Sequence, residues 1–154
     1  MHRLAGQPKL LKEINSNRVL NLLVQHREIS RSQLAKLTGL SRATISLLVD
    51  ELIEIGLVTE VGQGNSSGGR PPIILRFNPN TAYAIGAHMQ DNEWTVVATN
   101  LDGAIIHIVR SPIAVNSPEE AVHTLSHLVH KIISQSGSTP ILPAIGIGSP
   151  GLVD

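Results

Sequence analysis

The stretch that most constrains this chain is 30–56, which is punctuated for two short helices and a tight turn. Ser30-Arg31-Ser32-Gln33 has the spacing of a capping box. In such a box the serine oxygen accepts from the Gln33 amide while the glutamine side chain reaches back to the Ser30 amide. The helix it opens is expected to run to about Thr38 and to bury Leu34 and Leu37. Gly39-Leu40-Ser41 then makes a tight turn, with Ser41 as the next N-cap. A further helix is expected over 42–55, and Gly56 is placed to end it with a left-handed residue. On that helix Ile45, Leu48, Val49 and Leu52 share one sector, while Ala43, Ser46, Leu47, Asp50 and Glu54 lie opposite. Two short helices joined by a three-residue turn, the second with small or polar residues at its exposed N-terminal end, read as a helix-turn-helix. An ordinary αα-hairpin would share much of this pattern, so the charge distribution has to decide.

The formal net charge is zero, but the halves differ. Residues 1–72 hold nine Lys or Arg against six acids, and residues 73–154 hold three against six. A basic first half on an acidic remainder points to a polyanion partner for the first half alone. Only three aromatics are present, Phe77, Tyr83 and Trp94, which argues against single-strand binders that stack bases on aromatic platforms. With no cysteine there is neither a disulfide framework nor a thiolate metal site, and a reducing cytosol suits the chain. No apolar signal-peptide stretch opens the sequence. The uncharged run 132–153 is broken by three prolines and four glycines, so it is not read as a membrane helix.

Upstream of the capping box, 10–25 reads as a helix with Ile14, Val19, Leu20 and Leu23 as its apolar stripe. Downstream, 57–61 and 73–77 read as strands around a Gly/Ser/Pro-rich stretch. A hairpin after a helix-turn-helix is the wing of a winged helix. The expected organisation is a winged helix-turn-helix over 1–62 with its wing strand completed by 73–77. A linker or wing loop follows at 63–72, and an incomplete α/β domain over 78–154. In that second half, strands are expected over 83–89, 94–101 and 104–113, with Asp102-Gly103 as a hairpin turn. Ser117-Pro118-Glu119-Glu120 signals a helix start with cap, proline and capping-box glutamate, and the helix is expected to run to about Ser136. A buried strand over 144–147 completes the order βββαβ, the opening of an α/β lobe. The fold class is therefore α+β.

Several of these segments resemble one family closely. Arg31-Ser32-Gln33-Leu34-Ala35, Thr38-Gly39-Leu40-Ser41-Arg42-Ala43-Thr44-Ile45-Ser46 and Glu51-Leu52-Ile53-Glu54-Ile55-Gly56-Leu57-Val58 are similar to the winged helix of ROK-family regulators. (The family name stands for repressors, open reading frames and kinases.) Gly68-Gly69-Arg70-Pro71-Pro72 resembles the linker of those regulators. Tyr83-Ala84-Ile85-Gly86 and the run from Ile145 through Gly148-Ser149-Pro150-Gly151 to Asp154 resemble two landmarks of their sugar-binding domain. The resemblance implies an actin-like, ribonuclease-H-like sugar-sensing lobe in the second half. It also implies a cytoplasmic, sequence-specific repressor of carbohydrate-utilisation genes. The partners it implies are an operator in double-stranded DNA, a sugar or sugar-phosphate effector, and further copies of the chain in a homodimer or higher oligomer. ROK kinases carry Asp-x-Gly-Gly-Thr after the Ile-Gly pair, whereas this chain has His88-Met89-Gln90-Asp91-Asn92. Glycines let backbone amides approach phosphate, and Gln90 and Asp91 supply bulk and negative charge instead. The rival reading, a sugar kinase with an N-terminal helical extension, is disfavoured on that ground. No enzyme activity, cofactor or membrane contact is expected. The family's sugar-contacting Asn-Asp pair, its zinc site and its oligomer contacts are expected beyond Asp154.

For DNA contact the candidates are Arg42, Ala43, Thr44, Ser46 and Leu47, with Ser41 at the edge. Arg42 can fork onto a guanine, and Ala43 and Leu47 can meet thymine methyls. Arg31, Ser32 and Gln33 are candidate phosphate clamps, although capping explains them nearly as well. Arg70, between Gly69 and Pro71, partly resembles an AT-hook core, in which an arginine lies in a narrow A·T minor groove. Gly148, Ser149, Pro150 and Gly151 are candidates for one wall of an effector pocket. His123, His127 and His130 form a stripe at a spacing that can hold zinc, but it lies opposite Leu125, Leu128, Val129, Ile132 and Ile133 and is expected to face solvent. No metal site and no nucleophile–base pair is expected.

Overall fold

A computed structural model describes residues 7–64, 71–112 and 117–148. The chain divides into two compact units, Met1–Asn78 and Pro79–Asp154.

The first unit contains α1 (Gln7–His26), β1 (Glu28–Ser30), α2 (Arg31–Thr38), α3 (Arg42–Glu54), β2 (Val58–Gln63) and β3 (Ile73–Phe77). Its core draws Val19 and Leu23 from α1, Leu34 from α2, Ile45, Leu48, Val49 and Leu52 from α3, and Ile29, Val58 and Leu75 from the strands. The α3 stripe read from the sequence is thus the buried face. The capping box forms in full, with Ser30 N donating to Gln33 Oε1 at 2.8 Å and Gln33 N to Ser30 Oγ at 3.3 Å. Gly39, at φ 74°, closes α2 in the left-handed conformation. Ser41 Oγ accepts from Thr44 N at 3.1 Å and starts α3.

Two expected core residues stand outside. Leu37 is 48% exposed because an eight-residue helix buries one stripe, and here that stripe is Leu34 and Thr38, one turn apart. Ile14 is 53% exposed, since α1 meets the core only further along, at Val19 and Leu23. Sequence periodicity also misses β1, a three-residue strand that pairs antiparallel with β3 (Ile29 opposite Leu75) and makes the wing sheet three-stranded, in the order β1-β3-β2. Its few residues carry no periodicity of their own. In the β2–β3 hairpin the register slips between Glu60 and Gly62, leaving Val61 as the extra residue of a bulge with Gly62 at φ 132°.

The second unit holds β4 (Tyr83–Gln90), β5 (Glu93–Asn100), β6 (Ile105–Pro112), α4 (Pro118–Gln135) and β7 (Ile141–Gly148). The sheet order is β6-β5-β4-β7, with β7 parallel to β4 and the other pairs antiparallel. The β4–β5 hairpin turns on Asp91 and Asn92, both left-handed at φ 51° and 58°, as a two-residue loop of mirror-image type requires. In the β5–β6 turn the buried Asn100 side chain accepts from Asp102 N and Ala104 N at 3.1 and 2.9 Å. Leu128 and Ile132 of α4 pack on Ile85, Ala87, Trp94, Val96, Ala98 and Val109 of the sheet, and Trp94 Nε1 donates to the Ala121 carbonyl at 3.1 Å. Ser117 caps α4, with Pro118 at the first position. The expectation of a buried last strand fails. β7 is an edge strand while α4 covers β5 and β6, so Ile145 and Ile147 are 40% and 57% exposed.

Candidate nucleic-acid interface

The start of α3 gathers most of the residues singled out for DNA contact. Ser41, Arg42, Ala43 and Leu47 are exposed, and Thr44 and Ser46 are half-buried. The N-cap network holds this turn rigid: Ser41 Oγ takes the Thr44 amide and lies 2.8 Å from the Thr44 hydroxyl. Arg42 makes no hydrogen bond or ion pair with another described residue, so its five donors stay available at the positive end of the helix. Leu47 is 67% exposed, an apolar side chain with no packing reason to face solvent at the centre of a polar surface. Helical spacing aligns Ala43, Leu47 and Asp50 on one side of α3, away from the core.

The start of α2 lies beside this surface. Ser30, Arg31, Ser32, Arg42, Ser46, Pro71, Pro72 and Ile73 together line a cleft of about 370 Å³, in which the base of the wing faces the starts of α2 and α3. Ser32 and Gln33 are exposed but share in the capping network: Ser32 Oγ lies 2.9 Å from Ser30 Oγ, and Gln33 Oε1 takes both the amide and the hydroxyl of Ser30.

Arg31 is engaged within the protein. Its Nη1 donates to Asp50 Oδ1 at 2.7 Å and to the Ser46 carbonyl at 3.4 Å, and its Nη2 donates to Glu60 Oε1 at 3.1 Å. Partial burial works against the charge, but hydrogen bonds and attraction from Asp50 and Glu60 outweigh it and raise the guanidinium above its ordinary value. Asp50 and Glu60 were not among the sequence candidates. Partners 19 and 29 residues away leave no periodic or motif signal. Gly69 and Arg70 lie outside the described residues.

In the second unit Gly148 ends β7. The His88 ring packs against it, with Nδ1 at 3.2 Å from the Gly148 carbonyl and Nε2 at 3.3 Å from Gln90 Oε1. A Cβ at position 148 would sit 2.9 Å from that ring nitrogen. Ser149, Pro150 and Gly151 lie outside the described residues. His88, Gln90, Asp91, Glu93, Thr95 and Arg110 line a cleft of about 420 Å³. His123, His127 and His130 are all exposed on α4, with the first two rings 6.1 Å apart. Among the described residues, no helix is long and apolar enough to cross a membrane.

Comparison with known proteins agrees with this geometry. Residues 12–59 match the winged helix-turn-helix DNA-binding family. The chain is 37% identical over 145 residues to a xylose repressor of Bacillus spizizenii, covering 94% of this chain and 38% of the relative. It is 32% identical over 154 residues to the DNA-binding transcriptional dual regulator NagC of Escherichia coli K12, covering 97% of this chain and 37% of that protein. A crystal structure described as a ROK family transcriptional regulator, homologue of the E. coli MLC protein, superposes with a TM-score of 0.72 at 25% identity, covering 93% of this chain and 37% of that one. The chain therefore spans a little over a third of the length of these relatives.

Proposed function

We propose that this chain, which is similar over nearly its whole length to part of known sugar-responsive repressors and of a ROK family regulator, is a ROK-type regulator that binds double-stranded DNA sequence-specifically and represses carbohydrate-utilisation genes under control of a sugar effector. The observation that carries the proposal is the start of α3. Arg42, Ala43 and Leu47 are exposed there, backed by a fully buried stripe and set beside the wing hairpin. A helix presented this way enters the major groove with its N-terminal residues at base edges. Arg42 takes the guanine-reading role and Ala43 and Leu47 the thymine methyls. Thr44, Ser46 and the rim residues Ser32, Gln33 and Ser41 serve phosphates and nearby base edges. Gly69 and Arg70 follow the wing strand in sequence, and Arg70 is assigned to the adjacent minor groove.

The regulator acts in the cytoplasm, as a homo-oligomer that brings two winged helices to two half-sites, and its effector is a sugar or sugar phosphate. The run Gly148-Ser149-Pro150-Gly151 is assigned to one wall of the effector pocket. The relative named as a xylose repressor supports the sugar class and leaves the particular sugar open. A kinase role is not proposed. Asp91 and Glu93 set carboxylates at the place where a phosphate would need backbone amides. The decisive experiment is selection from a random pool of DNA duplexes. Enrichment of one motif, bound in a strongly salt-dependent way, supports the reading. Recovery of no motif, or saturable Mg-ATP binding by calorimetry, overturns it.

A further inference from the structure

Arg31 is the first residue of α2, yet its guanidinium works on two other elements. It holds Asp50 Oδ1 and the Ser46 carbonyl on the outward side of α3, and Glu60 Oε1 on β2. One planar fork thus joins the start of α2, the middle of α3 and the wing strand. Arginine suits this position because its donors are fixed in one plane and reach two carboxylates at once, which a lysine ammonium does less well. The Arg31 side chain is 27% exposed, while Asp50 and Glu60 are 63% and 43% exposed. The cation is therefore the sheltered centre and the carboxylates its outer arms.

The backbone immediately after Glu60 gives this junction its importance. There the β2–β3 ladder slips, with Val61 as the bulged residue and Gly62 at φ 132°. A bulge bends its strand and increases the local twist. The direction in which the hairpin leaves the body is thus set over three residues, of which the first is pinned to α3 through Arg31. The same Arg31 lines the cleft between α3 and the base of the wing, beside Arg42, Pro71 and Pro72.

We infer that Arg31, held by Asp50 and Glu60, is a positioning residue that sets the angle between the groove-reading helix and the wing, and so governs sequence selectivity without itself touching DNA. The inference rests on the DNA-binding reading above. A helix in one groove and a wing beside it both fit a duplex only at a fixed separation and angle. A wing free to swing would keep phosphate attraction and lose register. The tie also balances one of two carboxylates that would otherwise repel the phosphates.

The test compares the wild-type chain with Arg31→Ala, Arg31→Lys and Glu60→Gln. Each is titrated, over a range of salt, against the duplex that wild type selects from a random pool and against a scrambled duplex of equal length. Amide hydrogen exchange of 58–63 is measured without DNA. The expected result is a drop of about tenfold in preference for the selected duplex in Arg31→Ala and Glu60→Gln, with Arg31→Lys intermediate. Exchange across 58–63 should rise in both, and the salt slope should stay at its wild-type value. Two results overturn the inference. One is a slope shallower by about 0.9 in Arg31→Ala, the signature of a lost phosphate contact. The other is a Glu60→Gln variant that binds both duplexes more tightly with its preference intact, which leaves charge as the whole effect. A wild-type chain that enriches no duplex overturns the regulator reading. The exchange measurement then decides the tie alone, and unchanged exchange refutes it.

Discussion

Replacing Arg42 with alanine separates recognition from folding, because this side chain has no hydrogen-bond or ion-pair partner among the described residues. It is exposed in the first turn of α3, and the capping of that turn runs through Ser41 and Thr44 instead. Removing it takes away no buried contact, so unfolding free energy should stay within about 0.5 kcal/mol of wild type. On DNA the loss is larger. A guanidinium forked onto a guanine contributes about 1–3 kcal/mol of discrimination, which is roughly 5- to 150-fold in Kd. The assay is a titration against the selected duplex and against a set in which each base pair is changed in turn, with thermal unfolding run in parallel. Arg42→Ala should bind the selected duplex more weakly and become indifferent at one base pair while keeping its preferences elsewhere. The reasoning fails if the preference profile is unchanged and only the salt slope flattens, because Arg42 is then a phosphate contact. It also fails if the variant unfolds more easily by about 1 kcal/mol or more, because the residue then has an internal role that the structure does not show.

Other consequences are testable on the same chain. Leu34→Ala removes a fully buried side chain from the first unit and should cost about 2–5 kcal/mol, read by denaturant unfolding with a probe in that unit. Gly62→Ala has open space for a methyl group but a φ of 132°, so its cost of about 1–3 kcal/mol is backbone strain alone, and exchange should rise around the bulge. Glu119 is held below the ordinary carboxylate value by its own backbone amide and the Ser117 hydroxyl. A depressed carboxylate stabilises the fold above its unfolded value and loses that contribution as pH falls through the folded one. The start of α4 should therefore fray as pH falls below the ordinary carboxylate value, and Glu119→Gln should remove that pH-linked loss of amide protection at 119–121, measured relative to intrinsic exchange rates.

The parts of this fold that were legible in the sequence are those whose physical cause is local. The Ser30 capping box, the Gly39-Leu40-Ser41 turn, the Ser41 cap, the left-handed Gly56 and the α3 apolar stripe each depend on residues within a turn or two of one another, and each forms as read. The strands of the second unit also emerge, because alternation along β5 follows directly from burial of one face. Misreadings cluster where burial is decided by another element. Leu37 and Ile14 are apolar residues at helical spacing that no neighbour covers. Ile145 and Ile147 look like core residues in sequence and stand exposed on an edge strand. Strand β1 exists because β3 pairs with it, not because three residues prefer to be extended.

The same division runs through the candidate interface. The groove-facing turn of α3 is local, so its cap, exposed arginine and outward leucine could be read from the residues. The angle at which that turn meets the wing is held by Arg31 through partners 19 and 29 residues distant. Both distant partners are exposed acids that sequence alone assigns to an ordinary solvated surface. Selectivity would then depend on residues outside every motif. A change at position 50 or 60 could retune the wing while Ser41, Arg42 and Leu47 stay as they are. Two regulators with the same α3 start could therefore prefer different operators, and comparing their groove-facing residues alone would miss the cause.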